Sequence, residues 1–167
     1  LIYVANISDT EYTTYEENNE YQKVKAIALN EGADVVAISA EIEAEIAALS
    51  SSEQTLYLQE LGIDESGLNK VINVAYQTLG LSSFFTTGKD EVRAWTFKNG
   101  TNAQKCAGII HTDFERGFIR AEVYTYSDFE KYGSEAKIKE AGKVRSEGKD
   151  YLMRDGDIVF FKFNVRK

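Results

Sequence analysis

The 167-residue chain contains no proline and a single residue each of cysteine, histidine, methionine and tryptophan. The lone Cys106 excludes an internal disulfide and a cysteine-rich metal cluster, and it fits a reducing compartment, so a cytoplasmic protein is expected. One histidine, His111, cannot build a multi-histidine metal site, and with no proline none of the turns is proline-built. No apolar run approaches the roughly 20 residues of a membrane-spanning helix, so the expectation is a soluble chain with no membrane partner. Residues 1–6 lack the basic flank and the cleavage site of a secretory leader. A Walker loop is missing too, because Gly88-Lys89, Gly142-Lys143 and Gly148-Lys149 are followed by Asp or Val and have no upstream glycine at the required spacing. Without that loop the chain has no phosphate cradle and is not expected to be an enzyme by itself; no catalytic residue and no metal ligand is assigned. There is no initiator Met, and the single Met is Met153, which points to a chain that begins inside a larger protein.

What is present is a globular composition, with 43% hydrophobic and 12% aromatic residues, ample for a core in one large or two small domains. The net charge of −8 is unevenly spread. Residues 1–80 hold three lysines against 14 acidic residues, whereas residues 81–167 hold 16 basic against 13 acidic. The first half is thus strongly acidic and the second mildly basic, which places a domain boundary near residue 80, at Leu79-Gly80-Leu81-Ser82-Ser83, a helix stop and linker. A charge fluctuation within one domain is the alternative.

In the first half, residues 1–5 form a short apolar run of the kind found in a buried parallel strand, ending in turn chemistry at Asn6-Ile7-Ser8-Asp9. Val24, Ile27 and Ala28 share a helical face, Gly32 caps that helix, and residues 34–38 read as a second buried strand. Strand, helix, strand implies a right-handed crossover in a parallel sheet. Three helical stretches follow from Glu41, with Ser52, Asp64 and Ser66 as candidate caps. In the second half, residues 83–86 and 91–97 read as a hairpin around Thr87-Gly88-Lys89-Asp90. Thr101 is expected to cap a short helix over 102–110, and 118–126 alternates as a strand. Ser127 is expected to cap a helix ending at Tyr132, 134–141 is helical, and strands at 151–153 and 158–163 close the chain. A small mixed sheet with a helix across it is compatible with a β-grasp domain, and periodicity alone leaves the topology open.

Few residues carry chemistry. Cys106 is expected to be a buried helix-face residue, and Glu41, Glu43 and Glu45 a solvated helix surface. More informative are Asn6, Ile7 and Asp9 at the end of the first strand and Ser39-Ala40 at the end of the second, because open α/β sheets bind ligands at the carboxyl ends of their strands. There an Asn can brace a neighbouring loop, a carboxylate can pair with ring N–H groups of a purine, and backbone after Ser39 can donate to the base. Turn-forming Asn and Asp also end strands with no ligand involved.

Three stretches then identify a family: Phe84-Phe85-Thr86, Glu91-Val92-Arg93-Ala94-Trp95-Thr96, and Ile110-His111-Thr112-Asp113-Phe114-Glu115-Arg116-Gly117-Phe118-Ile119-Arg120-Ala121-Glu122. With Ala141-Gly142-Lys143-Val144-Arg145, Gly148-Lys149-Asp150-Tyr151 and Asp155-Gly156-Asp157-Ile158, they closely resemble the carboxyl-terminal region of the YchF/Obg-like ATPases. The resemblance implies an α+β chain: residues 1–80 are the end of an α/β P-loop nucleotide-binding domain and residues 81–167 a TGS domain of β-grasp, ubiquitin-like fold. It implies ATP or GTP with Mg2+ as ligands of the full-length protein, with none held by this chain alone. It also places Asn6-Ile7-Ser8-Asp9 at the base-recognition motif and Ser39-Ala40 at the following base-contacting loop. The family typically carries Glu where Asp9 stands, a change associated with relaxed specificity or ATP preference, so the shorter Asp9 leaves the choice between ATP and GTP open.

The same resemblance implies a ribosome or RNA partner for the TGS domain. Arg93, Lys98, Lys105, Arg116, Arg120, Lys143, Arg145 and Lys149 could neutralise phosphates, and Trp95, Phe118 and Tyr124 could stack on bases if exposed. His111 could contact RNA or anchor the helix-to-strand junction, the latter being favoured, and Trp95 on an alternating strand is expected in the core. The alternative is a protein-interaction module with no direct RNA contact.

Overall fold

A computed structural model describes residues 1–88 and 91–164. The chain divides into two compact units, Leu1–Leu79 and Gly80–Lys167. In the first, β1 (Ile2–Asn6) and β2 (Asp34–Ile38) run parallel, with Asn6 opposite Ile38. A 3-10 segment (Asp9–Glu17) and α1 (Asn19–Glu31) make the crossover between them. α1 begins at Asn18, whose side chain accepts from the Glu20 and Tyr21 N–H groups and so satisfies two of the donors a helix start leaves open.

α2 (Ala40–Ala47), α3 (Ser51–Glu60) and α4 (Gly67–Leu79) follow. Their core gathers Ile7, Tyr12, Tyr21, Ala37, Ile42, Ile46 and Ile63. The expectation of a buried β1 is corrected: Val4 is 49% exposed and no residue of the strand is fully buried, whereas Val36 and Ala37 of β2 are. The caps also shift. Ser52 lies inside α3, which starts instead at Ser50, where the Ser50 N–H donates to the Glu53 carboxylate at 2.8 Å. Ser66, not Asp64, caps α4 by accepting from the Asn69 N–H.

The second unit holds β3 (Leu81–Thr87), β4 (Val92–Lys98), α5 (Ala103–Ile110), α6 (Thr112–Arg116), β5 (Phe118–Tyr124), α7 (Tyr126–Tyr132), α8 (Glu135–Glu140), β6 (Arg145–Glu147) and β7 (Ile158–Phe163). The junction is shorter than the expected linker: α4 ends at Leu79, β3 starts at Leu81, and Gly80 alone turns the chain with φ of 63°. Lys89 and Asp90 of the expected hairpin turn lie outside the described residues.

The sheet order is β4-β3-β7-β5-β6, with β3 and β7 parallel and the other pairs antiparallel. Numbered within the unit, this is 2-1-5-3-4, the β-grasp topology. Alternation sends Phe84, Phe97, Ala121, Val123, Val159 and Phe161 to one face, against Ala103, Cys106 and Ala107 of α5. The other face carries Phe85, Tyr124 and Ile158, packed with Tyr132, Ile138 and Val144. An irregularity between Phe118 and Arg120 returns Phe118 to the α5 side, where it packs near Phe161.

Further corrections concern the termini of elements. Asn102, not Thr101, caps α5, since its side chain accepts from the Lys105 N–H while the Thr101 hydroxyl donates to the Lys98 carbonyl. Thr125, not Ser127, caps α7 through reciprocal bonds with Asp128. The expected strand at 151–153 is a single bridge between Leu152 and Asn102, and α6 and β6 were not anticipated.

Candidate functional site

The carboxyl ends of β1 and β2 lie side by side, and two bonds tie the loops that leave them. The Ile7 N–H donates to the Ile38 carbonyl at 2.8 Å, and the Ala40 N–H donates to Asn6 Oδ1 at 3.0 Å. Asn6 therefore braces the neighbouring loop, and Ala40 gives its one N–H to that brace. The Ile7 side chain is buried in the core of the unit, so this position anchors the loop from beneath. Ser39 is buried (1% exposed) and its Oγ accepts from the Ile42 N–H at the start of α2. Asp9 is exposed at the first turn of the 3-10 segment, where its carboxylate can accept from two N–H groups on one edge of a purine.

Supporting residues escaped the sequence reading. The Tyr12 hydroxyl donates to the Ala37 carbonyl and accepts from Lys70 Nζ, each at 3.3 Å, and the Lys70 ammonium also sits 5.2 Å from the Tyr12 ring centroid. This holds the Asp9 segment against the end of β2. Glu43 is more than a solvated acid: its carboxylate accepts from the Gly67 and Leu68 N–H groups at 2.6 and 3.2 Å, joining α2 to the start of α4. Tyr57 donates to Glu45 in the same region. Partners 12 to 58 residues apart leave no local signal in the sequence.

The basic candidates of the second unit divide by what they touch. Lys98, Arg116, Lys143 and Lys149 are exposed. Lys105 is exposed and 3.9 Å from Glu115, and Arg120 pairs with Glu122 at 2.9 Å, a hydrogen bond that holds the Glu122 carboxyl below its ordinary range. Arg93 lies 4.2 Å from the Trp95 ring centroid; Trp95 is half-buried against the core, and its Nε1–H donates to Thr86 Oγ1. His111 Nδ1 accepts from the Asp113 N–H and caps α6, as expected of a junction anchor.

Arg145 is committed elsewhere. Its guanidinium reaches Asp157 at 3.2 Å and the Tyr151 hydroxyl at 3.1 Å, and Tyr151 donates to the same carboxylate at 2.8 Å. Burial works against charge on Arg145, but Tyr151 and Asp157 outweigh it and raise its pKa. Burial first, then the bond to Asp157, raises the Tyr151 pKa. Tyr124, a stacking candidate, is 3% exposed, and Phe118 packs against the core. Cys106 is fully buried, and burial pushes its thiol up to about 12.

Residues 81–164 match the family model YchF-GTPase_C, described as a protein of unknown function (DUF933). The chain belongs to the YchF family. It is 52% identical over 165 residues to the ribosome-binding ATPase YchF of Bacillus subtilis, covering 99% of this chain and 45% of that protein. It is 46% identical over 167 residues to Obg-like ATPase 1 of Gallus gallus, covering 99% of this chain and 42% of that one. A solved structure of the Schizosaccharomyces pombe YchF GTPase superposes with a TM-score of 0.83 at 34% identity, over 96% of this chain and 43% of that one. The mixed α and β architecture is therefore that of YchF proteins, and the chain spans a little under half the length of the curated relatives it matches. Among the described residues no group of three or more His, Cys, Asp or Glu could hold a metal ion, and no helix is long and apolar enough to cross a membrane.

Proposed function

We propose that this chain is the base-recognition and docking part of a YchF protein that binds ATP or GTP with Mg2+ in the cytoplasm and associates with the ribosome. In this reading the first unit completes a P-loop nucleotide-binding domain, and the second is a TGS domain that meets ribosome or RNA. One observation carries the nucleotide half: the bond from Ala40 N–H to Asn6 Oδ1, which ties together the two loops that leave the strand ends. Asp9 then presents its carboxylate to the base edge, and Ser39 and Ile7 hold the loops from below. In this reading the phosphates and magnesium are held by the P-loop part of the full-length protein. Because phosphate contacts dominate nucleotide affinity, the chain alone binds nucleotide poorly. The docking half is supported by the 52% identity to a ribosome-binding ATPase of Bacillus subtilis and by the exposed cations of the second unit.

The test is nucleotide competition in the full-length protein that carries this chain. Asp9→Glu shifts relative affinity toward ATP, and Asn6→Ala weakens both nucleotides together by unfastening the loops. Relative affinities unchanged by Asp9→Glu, or an Asn6→Ala variant that binds as tightly as the parent, would refute the assignment.

A further inference from the structure

The sheet face opposite α5 is only partly covered. α7 and α8 close over Phe85, Tyr124 and Ile158, yet Phe160, two residues along β7 from Ile158, is 47% exposed. β7 is the middle strand of five, so the Phe160 ring stands at the centre of the sheet. It lines a cleft of about 570 Å³, shared with Phe129 of α7 and with Ser134 and Lys139 at α8. That volume lies within the range of about 300–1,000 Å³ found for small-ligand sites. Lys162 Nζ is 4.2 Å from the Phe160 centroid and 3.8 Å from Glu122, whose carboxylate also takes Arg120. The cleft thus joins two exposed aromatic rings to Lys139 and Lys162; of its two carboxylates, Glu122 is paired with Arg120 and Lys162, and Glu135 is exposed at the rim.

We propose that this cleft receives an unpaired nucleotide of single-stranded RNA, its base stacked on Phe160 and its flanking phosphates met by Lys139 and Lys162. Aromatic rings on the middle of a sheet, flanked by cations, are how sheet-based modules hold single-stranded RNA, because every base has a face to stack and every linkage a charge. In the free chain Lys162 lies over the ring, and its flexible stem lets the ammonium move to a phosphate as the base arrives. The proposal rests on the RNA-docking reading above and adds to it a contact on the sheet face opposite α5.

The experiment measures binding of a fluorescent single-stranded octaadenylate to the chain across a salt series, beside pelleting with purified ribosomes. Phe160→Leu keeps apolar bulk and removes the ring; its thermal midpoint, followed by Trp95 fluorescence, reports folding. The expected result is about tenfold or greater loss of octamer affinity in Phe160→Leu. Lys139→Ala with Lys162→Ala should lower the log–log salt slope by about 1.4, from two phosphates at roughly 0.7 each. Phe160→Leu should also pellet less with ribosomes. If the parent chain pellets in a salt-sensitive way and Phe160→Leu matches it in both assays, the cleft is refuted while the docking reading stands. If Phe160→Leu loses pelleting but the parent does not bind the octamer, the occupant is protein and the proposal is overturned. If the parent neither pellets nor binds the octamer, both readings fall.

Discussion

Asp157→Asn tests the internal logic of the second unit. The Asp157 side chain is 3% exposed and accepts from the Tyr151 hydroxyl at 2.8 Å, the Arg154 N–H at 3.0 Å and Arg145 at 3.2 Å. Asn keeps one acceptor oxygen and turns an NH2 group toward donors, leaving the Arg145 guanidinium with Glu147 at 3.9 Å as its nearest acid. Breaking one side of a buried ion pair costs about 3–5 kcal/mol. Arg145 keeps a side-chain exposure of 35%, so water recovers part of that, and about 2–3 kcal/mol is expected. At roughly 4–8 °C per kcal/mol for a unit of this size, the midpoint falls by about 10–20 °C. The single tryptophan, Trp95, lies in this unit, so intrinsic fluorescence reports its melting separately from the first unit. Asp155→Asn is the control: Asp155 is exposed and accepts one backbone N–H, from Ser83, and the expected shift is far smaller. A loss below about 3 °C for Asp157→Asn would refute the view that this network holds the loop to β7.

Other outcomes follow from the same geometry. Gly117→Ala should destabilise the second unit by about 1–3 kcal/mol in urea melts, because a Cβ would lie 2.3 Å from the Asn164 carbonyl oxygen, a backbone atom that cannot swing away. Cys106 should resist a thiol reagent until the unit unfolds; labelling at native rates matching a free thiol would contradict its burial. Its pKa rises from 9.0 to about 12 on folding, so its stabilisation is complete below pH 9 and is lost as pH climbs toward 12. Tyr21, raised by burial from 10.0 to about 12, acts alike in the first unit: its contribution is full below pH 10 and declines above it, checked by denaturant midpoints at pH 8 and pH 11.

The elements that were legible in the sequence are those with a sustained period. β2, α1 and β7 follow from apolar runs and i, i+3, i+4 spacing, and the His111 to Glu122 block identified the family. Caps were misplaced where several polar residues compete. Ser50, Ser51 and Ser52 all offer a hydroxyl, and only the first has Glu53 three residues on to close the turn. β6 escaped notice because three residues, two of them charged, carry no alternation, and Tyr151-Leu152-Met153 looked like a strand although its partner is the lone residue Asn102. In the candidate site, Asn6, Asp9 and Ser39 stand out in the sequence as turn chemistry at strand ends, whereas Tyr12 and Lys70 meet across 58 residues. Among the cations, sequence could not separate Lys143, which faces solvent, from Arg145, which faces Asp157. Phe160 hid in the apolar run of β7, since an alternation that is apolar on both faces does not say which face is covered.

The central claim, that the second unit docks on the ribosome through its exposed cations, is tested most directly by pelleting the chain with purified ribosomes at low and high salt. The comparison variant changes Lys98, Lys105, Arg116 and Lys143 to Ala and leaves Arg145 in place, since that residue is spent on Asp157. Association that weakens steeply with salt and is reduced in the variant is the predicted result. Pelleting that ignores salt and survives the four changes would contradict it and assign the unit to a protein interface.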